Sequence, residues 1–235
     1  MKLVKLYETV LREDNAQACV ARFGDVLFAD QLGGNEKNTD IENKHAKAVH
    51  AFTDFDFGEN LKPEMKQAID DLQSCIKTYP EVLKPEVEKV YRGTSAPIMW
   101  FIKNGMLPTK DVPQIYEYKA NSPIQSWTDA FDKAKIFGEA EDLNQFCRYW
   151  DIDDISFEWL IPEINKFTIP VILEHKASDK DFLFKSKYLN KMSEFEGENE
   201  VIRVENYPIT VMAHLNNKWL SSESERLLNI INDKL

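Results

Sequence analysis

The amino-acid sequence predicts an α+β fold in which helices come first and short strands follow. Two observations carry that expectation. Residues 1–80 hold apolar side chains at helical spacing, and Met65, Ile69, Leu72, Cys75 and Ile76 form one clean stripe. From Val87 onward the apolar runs shorten and begin to alternate. Helical and strand segments are thus segregated along the chain, which is the α+β pattern and not that of a parallel α/β sheet. The 235 residues, 43% of them hydrophobic, suffice to bury a sizeable core. A single domain over 1–235 is expected, with a mainly helical part over 1–80, a β-core over 87–213 and a closing helix over 220–235.

Leu3 to Val20 carries apolar residues at mixed helical spacing. Gly33-Gly34-Asn35 and the polar stretch to Asp40 are turn-prone, and Asp40 can cap a helix reaching about Phe52. Asp54 to Leu61 reads as a loop. Pro63 suits the first turn of a helix from Glu64 to Tyr79, where its missing amide hydrogen costs nothing, and Pro80 is expected to close that helix. Val87–Tyr91 reads as a strand leading into Arg92-Gly93, and Ile98–Met106 as a short helix. Val112–Lys119 and Ile124–Trp127 read as extended. Asp129–Gly138 is expected to be helical. Phe131, Ala134 and Phe137 share one side, Thr128 or Asp129 would cap it, and Gly138 would stop it. A helix over Asp142–Trp150, an acidic loop over Asp151–Asp154 and a strand over Ile169–His175 follow. Phe182–Lys191 has no clear period. Glu200–Val204 and Ile209–His214 read as two strands joined through Glu205-Asn206-Tyr207-Pro208. Ser221 or Ser222 would cap a final helix with Leu227, Ile230 and Ile231 facing inward.

The net charge of −11 argues against non-specific nucleic-acid binding, which needs a basic surface, and fits a partner that is itself basic. No apolar run approaches the ~18 residues of a spanning helix, and the charged N-terminus does not read as a signal peptide. Cys19, Cys75 and Cys147 are odd in number and widely spaced, so they are expected to be reduced core thiols of a cytoplasmic protein. His45, His50, His175 and His214 form no metal-ligand pattern, and no metal site is expected. Trp150 and Trp159 are expected in the core.

Three segments carry chemistry. In Val90-Tyr91-Arg92-Gly93-Thr94, an arginine at a strand end offers a planar fork suited to a diphosphate, and Gly93 would let a ligand approach the backbone. In Ser126-Trp127-Thr128, a strand hands over to a helix; capping accounts for Thr128 but not for Ser126. In the acidic run Glu194 to Glu200, Glu198 and Glu200 would point to one face of an extended chain, at the mouth of the apolar strand that Val201-Ile202 begins. Glu196 and Glu198 are the alternative register for that pair.

Arg92, Ser126 and Glu200, in that order and with those flanks, resemble the trio of the arginine–serine–glutamate class of mono-ADP-ribosyltransferases, of the phage ModA/ModB/Alt kind and related bacterial toxins. The matching parts span about 87 to 213. The resemblance implies a split, mixed β-sandwich with a cleft for NAD, which is consumed as a substrate, with no metal. By the same resemblance Arg92, Gly93 and Thr94, together with Ser126, Trp127, Thr128 and Phe137, would bind NAD. Ser126 would hold Glu200, and Glu200 would stabilise the oxocarbenium-like ribose as nicotinamide leaves. Glu198 would position and deprotonate the acceptor, with Phe195 helping to recognise it. A glutamate two residues before the catalytic one goes with arginine as acceptor. Ser-Trp-Thr departs from the usual Ser-Thr-Ser, and the stretch after Glu200 lacks the usual proline and glycine. The implied partners are host target proteins, basic ones or those of transcription and translation, in the cytoplasm of the host if the chain is phage-encoded. An NAD glycohydrolase, a nucleic-acid-end transferase of the same fold and an inactive binding module are the alternatives.

Overall fold

The computed structural model describes residues 2–31, 61–120, 122–152, 156–185, 200–204 and 207–235. The turn at Gly33-Gly34-Asn35, the helix Asp40–Phe52 with His45 and His50, the loop from Asp54, and Phe195, Glu196 and Glu198 lie outside the described residues. Helices at the N-terminus followed mainly by antiparallel strands make the chain α+β. It divides into two compact units. The first comprises Met1–Glu88, Lys119–Asp129 and Ala177–Pro208; the second comprises Lys89–Tyr118, Ala130–Lys176 and Ile209–Leu235. These units do not follow the linear division at 80 and 87.

In the first unit, α1 (Lys2–Gln31) runs well past Val20. Ala16, Val20, Phe23 and Leu27 recur at helical spacing and are all buried, so the helix pays its ordering entropy along a continuous apolar row. Helix α2 (Pro63–Thr78) starts on its proline and buries the whole predicted stripe plus Ala68. Pro80 does not only end it: Tyr79 leaves helical geometry and Pro80 then opens the short helix α3 (Pro80–Leu83), because a proline at the first position needs no amide partner. Cys19 and Cys75 are joined in a disulfide, with their Cα atoms 6.2 Å apart. This corrects the expectation of three reduced thiols. The two cysteines meet because α1 packs on α2, and their separation of 56 residues carries no local signal. Cys147 is free and buried, and burial pushes its thiol pKa up.

Among the described residues three strands belong to this unit: β3 (Ile124–Thr128), β5 (Leu183–Lys185) and β6 (Glu200–Val204), antiparallel, with β6 in the middle. Ile124, Ile202, Val204 and Phe184 join the core formed by α1 and α2. Full burial of one such side chain contributes about 1.5–3 kcal/mol. Gln73 of α2 donates from Nε2 to the Val204 carbonyl at 2.8 Å, tying the helix to the middle strand.

The second unit holds four antiparallel strands in the order β2-β7-β4-β1: β2 (Gln114–Tyr118), β7 (Ile209–Leu215), β4 (Thr168–Lys176) and β1 (Lys89–Pro97). Strand β1 does not stop at Tyr91. It pairs with β4 from Lys89↔Lys176 to Pro97↔Thr168, so Arg92 lies mid-strand. Strands β6 and β7 belong to different units and do not form a hairpin. Helix α4 (Ile98–Ile102) follows β1. The helix expected over Asp129–Gly138 is only α5 (Phe131–Ala134). Thr128 ends β3 and Ala130 precedes α5 without a side-chain cap, so neither Thr128 nor Asp129 caps it. Gly138 does stop the segment, at φ +99.

Helix α6 (Glu141–Tyr149) was expected; α7 (Phe157–Ile164), which carries Pro162 inside it, was not. Ser156 caps α7 by accepting from the Trp159 amide at 3.4 Å. These helices turn Leu143, Cys147, Leu160 and Ile164 inward. Trp150 and Trp159 are left 50% and 42% exposed, which corrects their assignment to the core. Helix α8 (Ser222–Asn232) is capped by Ser221 and buries Leu227, Leu228 and Ile231. Asn144 of α6 clamps its start: Oδ1 accepts from Ser221 N at 2.9 Å and Ser224 Oγ at 2.8 Å, while Nδ2 donates to the Trp219 carbonyl at 2.8 Å. Among the described residues no helix is long and apolar enough to cross a membrane.

Candidate functional site

Strands β3 and β6 place the central pair. Residues opposite each other in an antiparallel ladder share a face, and alternate residues repeat on it. The register Ile124↔Val204, Ser126↔Ile202 and Thr128↔Glu200 therefore puts Ser126, Thr128 and Glu200 on the same face as the core residues Ile124, Ile202 and Val204. That face is apolar at one end and polar at the other. Ser126 reaches diagonally across the ladder and its Oγ donates to Glu200 Oε1 at 2.5 Å. The bond is as short as charge-assisted O–H···O⁻ bonds are, and it fixes the carboxylate in one orientation. Both side chains are half-buried, and Thr128 beside them is buried. The structure thus brings together Ser126, Thr128 and Glu200, three of the residues singled out in the sequence.

Trp127 points to the opposite face and is 2% exposed. Its Nε1 donates to Gln125 Oε1 at 3.3 Å. The same oxygen accepts from Arg203 Nη1 at 3.4 Å. Arg203 also donates from Nε to Asp181 Oδ1 at 3.5 Å and lies over the Tyr207 ring at 4.7 Å. Tyr207 donates its hydroxyl to Asp181 at 2.9 Å. Burial and the Asp181 carboxylate push the Tyr207 pKa up, against the opposing pull of Arg203. Arg203 and Asp181 are each 1% exposed. Sequence reasoning missed this cluster. An arginine inside the apolar run Val201-Ile202-Arg203-Val204 was its one visible sign. A buried ion pair of this kind contributes little net stability but is costly to break, so it holds β6 in the register that places Glu200 opposite Thr128.

Arg92, Gly93, Thr94 and Phe137 belong to the second unit. Arg92, Gly93 and Thr94 pair with Leu173, Ile172 and Val171 of β4. A Cβ built on Gly93 would overlap the Ala134 carbonyl oxygen and stand 2.8 Å from Phe137 Cβ. On the side where a side chain would stand, the backbone that approaches Gly93 closely is this chain's own segment 134–137. Gly138 in turn sits against the Thr94 carbonyl, 3.0 Å from where its Cβ would be. Phe137 is 41% exposed. Asn216 Nδ2 donates to the carbonyls of Lys135 and Phe137 at 3.0 Å each, and Trp219 Nε1 donates to Lys135 at 3.0 Å, which secures this segment. His214 Nε2 lies 3.2 Å from Glu174, which also pairs with Lys89 at 2.6 Å. Among the described residues no group of three His, Cys, Asp or Glu side chains stands together as a metal site. The chain matches no protein-family model, no curated protein and no solved structure.

Proposed function

We propose that this protein is an NAD-dependent mono-ADP-ribosyltransferase that modifies arginine of a target protein, on a split β-sandwich of the ADP-ribosyltransferase type. The observation that carries the reading is the 2.5 Å hydrogen bond from Ser126 to Glu200 at the polar end of the β3–β6 ladder, with Thr128 opposite. A carboxylate fixed before the reaction stabilises positive charge that develops beside it without reorganising. In the proposed step the bond between ribose C1′ and the nicotinamide nitrogen breaks. Nicotinamide leaves with the electron pair and becomes neutral. Glu200 faces the oxocarbenium-like ribose, as carboxylates do in glycoside cleavage. A guanidino nitrogen of the acceptor then bonds to C1′, and its proton passes to Glu198. Arg92 supplies the bidentate fork for the diphosphate. Gly93 meets residues 134–137 on the side where a side chain would stand.

The test is incubation of the protein and its Glu200→Gln variant with labelled NAD and a host-cell lysate. Labelled bands with the parent protein, absent with the variant, are expected, and mass spectrometry of those bands should place the label on arginine. Equal NAD turnover by the two proteins would sink the assignment.

A further inference from the structure

Helices α6 and α7 of the second unit display a group of aromatic rings that the described residues leave partly exposed. Phe146 is the hub. Its ring stacks with Trp150 and Trp159 at 6.3 Å each and tilts against Phe167 at 5.0 Å, while Trp150 and Trp159 touch at 5.0 Å. Tyr149 beside them is 73% exposed. Large aromatics are expensive to leave in water, and contiguous exposed ones mark interaction surfaces.

The charge around this patch says what fits it. The described residues between 139 and 163 include six carboxylates and one basic residue, Arg148. Asp142 is exposed and lies one helical turn before Phe146, on the same face of α6. Glu158 is exposed and precedes Trp159 in the first turn of α7. Aromatic faces attract guanidinium and ammonium groups, and neighbouring carboxylates add to the attraction. The negative field disfavours an anionic membrane or a nucleic acid. A second copy of the same acidic patch would be repelled in a two-fold dimer.

We infer that the exposed aromatic cluster on α6 and α7 docks a basic, arginine- or lysine-containing segment of a partner protein, its cations seated on the Trp150 and Trp159 rings and paired with Asp142 and Glu158. This surface is independent of the transferase reading, because it binds without NAD.

The test uses the full chain without NAD and a short labelled peptide of alternating arginine and leucine. An alternating glutamate–leucine peptide is the control. Binding of the basic peptide alone is expected, with quenching of tryptophan fluorescence and weakening by added salt. Trp150→Ala, and separately the pair Asp142→Lys with Glu158→Lys, should each weaken it about tenfold or more. These positions are exposed, and circular dichroism should report an unchanged fold. No binding, equal binding of both peptides, or affinity indifferent to Trp150→Ala would each overturn the inference. So would concentration-dependent self-association that Trp150→Ala abolishes, since the occupant would then be a second copy.

Discussion

Replacing Gly93 with alanine tests the packing of β1 directly. The added methyl would overlap the Ala134 carbonyl oxygen, stand 2.8 Å from Phe137 Cβ and 2.9 Å from the Phe137 carbonyl oxygen. Two of these atoms are backbone and cannot rotate away. Nor can β1 retreat freely, because Gly93 is paired with Ile172 in a ladder that continues on both sides. The segment it would push against is fastened by Asn216 and Trp219 to the carbonyls of Lys135 and Phe137. Overpacking usually costs about 1–3 kcal/mol, and a clash with anchored backbone belongs at the upper end, about 3 kcal/mol. For a chain of this size that lowers the thermal midpoint by roughly 6–12 °C. Gly105→Ala is the control. Gly105 has φ +75 and nothing within 4 Å of its would-be Cβ, so only left-handed backbone strain remains, about 1 kcal/mol. Urea unfolding followed by circular dichroism compares the two. If Gly93→Ala costs no more than Gly105→Ala, the packing argument is wrong and the role of Gly93 must be sought in a ligand.

Ser126→Ala removes the donor to Glu200; a hydrogen bond to a charged group is worth about 1.5–3 kcal/mol, so nicotinamide release should fall about 10- to 100-fold with the fold unchanged. Unaltered release would show that Ser126 does not hold a catalytic carboxylate. Arg203→Met removes the cation 3.5 Å from Asp181, whose carboxylate still accepts from Ser178 and Tyr207, and should cost about 1.5–3 kcal/mol by urea titration, with partial recovery when Asp181→Asn is added. No recovery in the double variant would mean the loss came from packing and not from stranded charge. Tyr116 lies against Trp100 with ring centres 5.1 Å apart, and burial, then the neighbouring Tyr118 and Glu117, push its pKa up from 10.0 to about 12. Above pH 10 the unfolded chain loses this proton while the folded chain keeps it. The stabilising contribution is therefore complete below pH 10 and is lost as pH rises towards about 12. An ultraviolet titration of Tyr116→Phe against the parent should delete a phenol that ionises near pH 12; deletion of one that ionises near pH 10 refutes the environment described.

The segments most legible in the sequence were those whose pattern is local. The stripe on α2, the cap at Ser221 and the strands at Ile124, Glu200 and Ile209 each follow from a period or a turn signal within one turn or one strand. The expectations that failed depended on partners far along the chain. Strand β1 extends to Pro97 because β4 is there to pair with it, and α5 is short because β3 claims Thr128. Trp150 and Trp159 looked like core residues because hydrophobicity is visible in a sequence and exposure is not.

By itself, then, the sequence determined the α+β class and the order of most elements, because composition, periodicity and caps act over a few residues. Only the tertiary structure decided that Ser126 reaches Glu200 across the ladder, that Arg203 finds Asp181, that Cys19 meets Cys75 and that Gly93 makes room for Ala134. Each of those contacts joins residues tens of positions apart, and it is the register of strands and the packing of helices, not local propensity, that brings such residues within bonding distance.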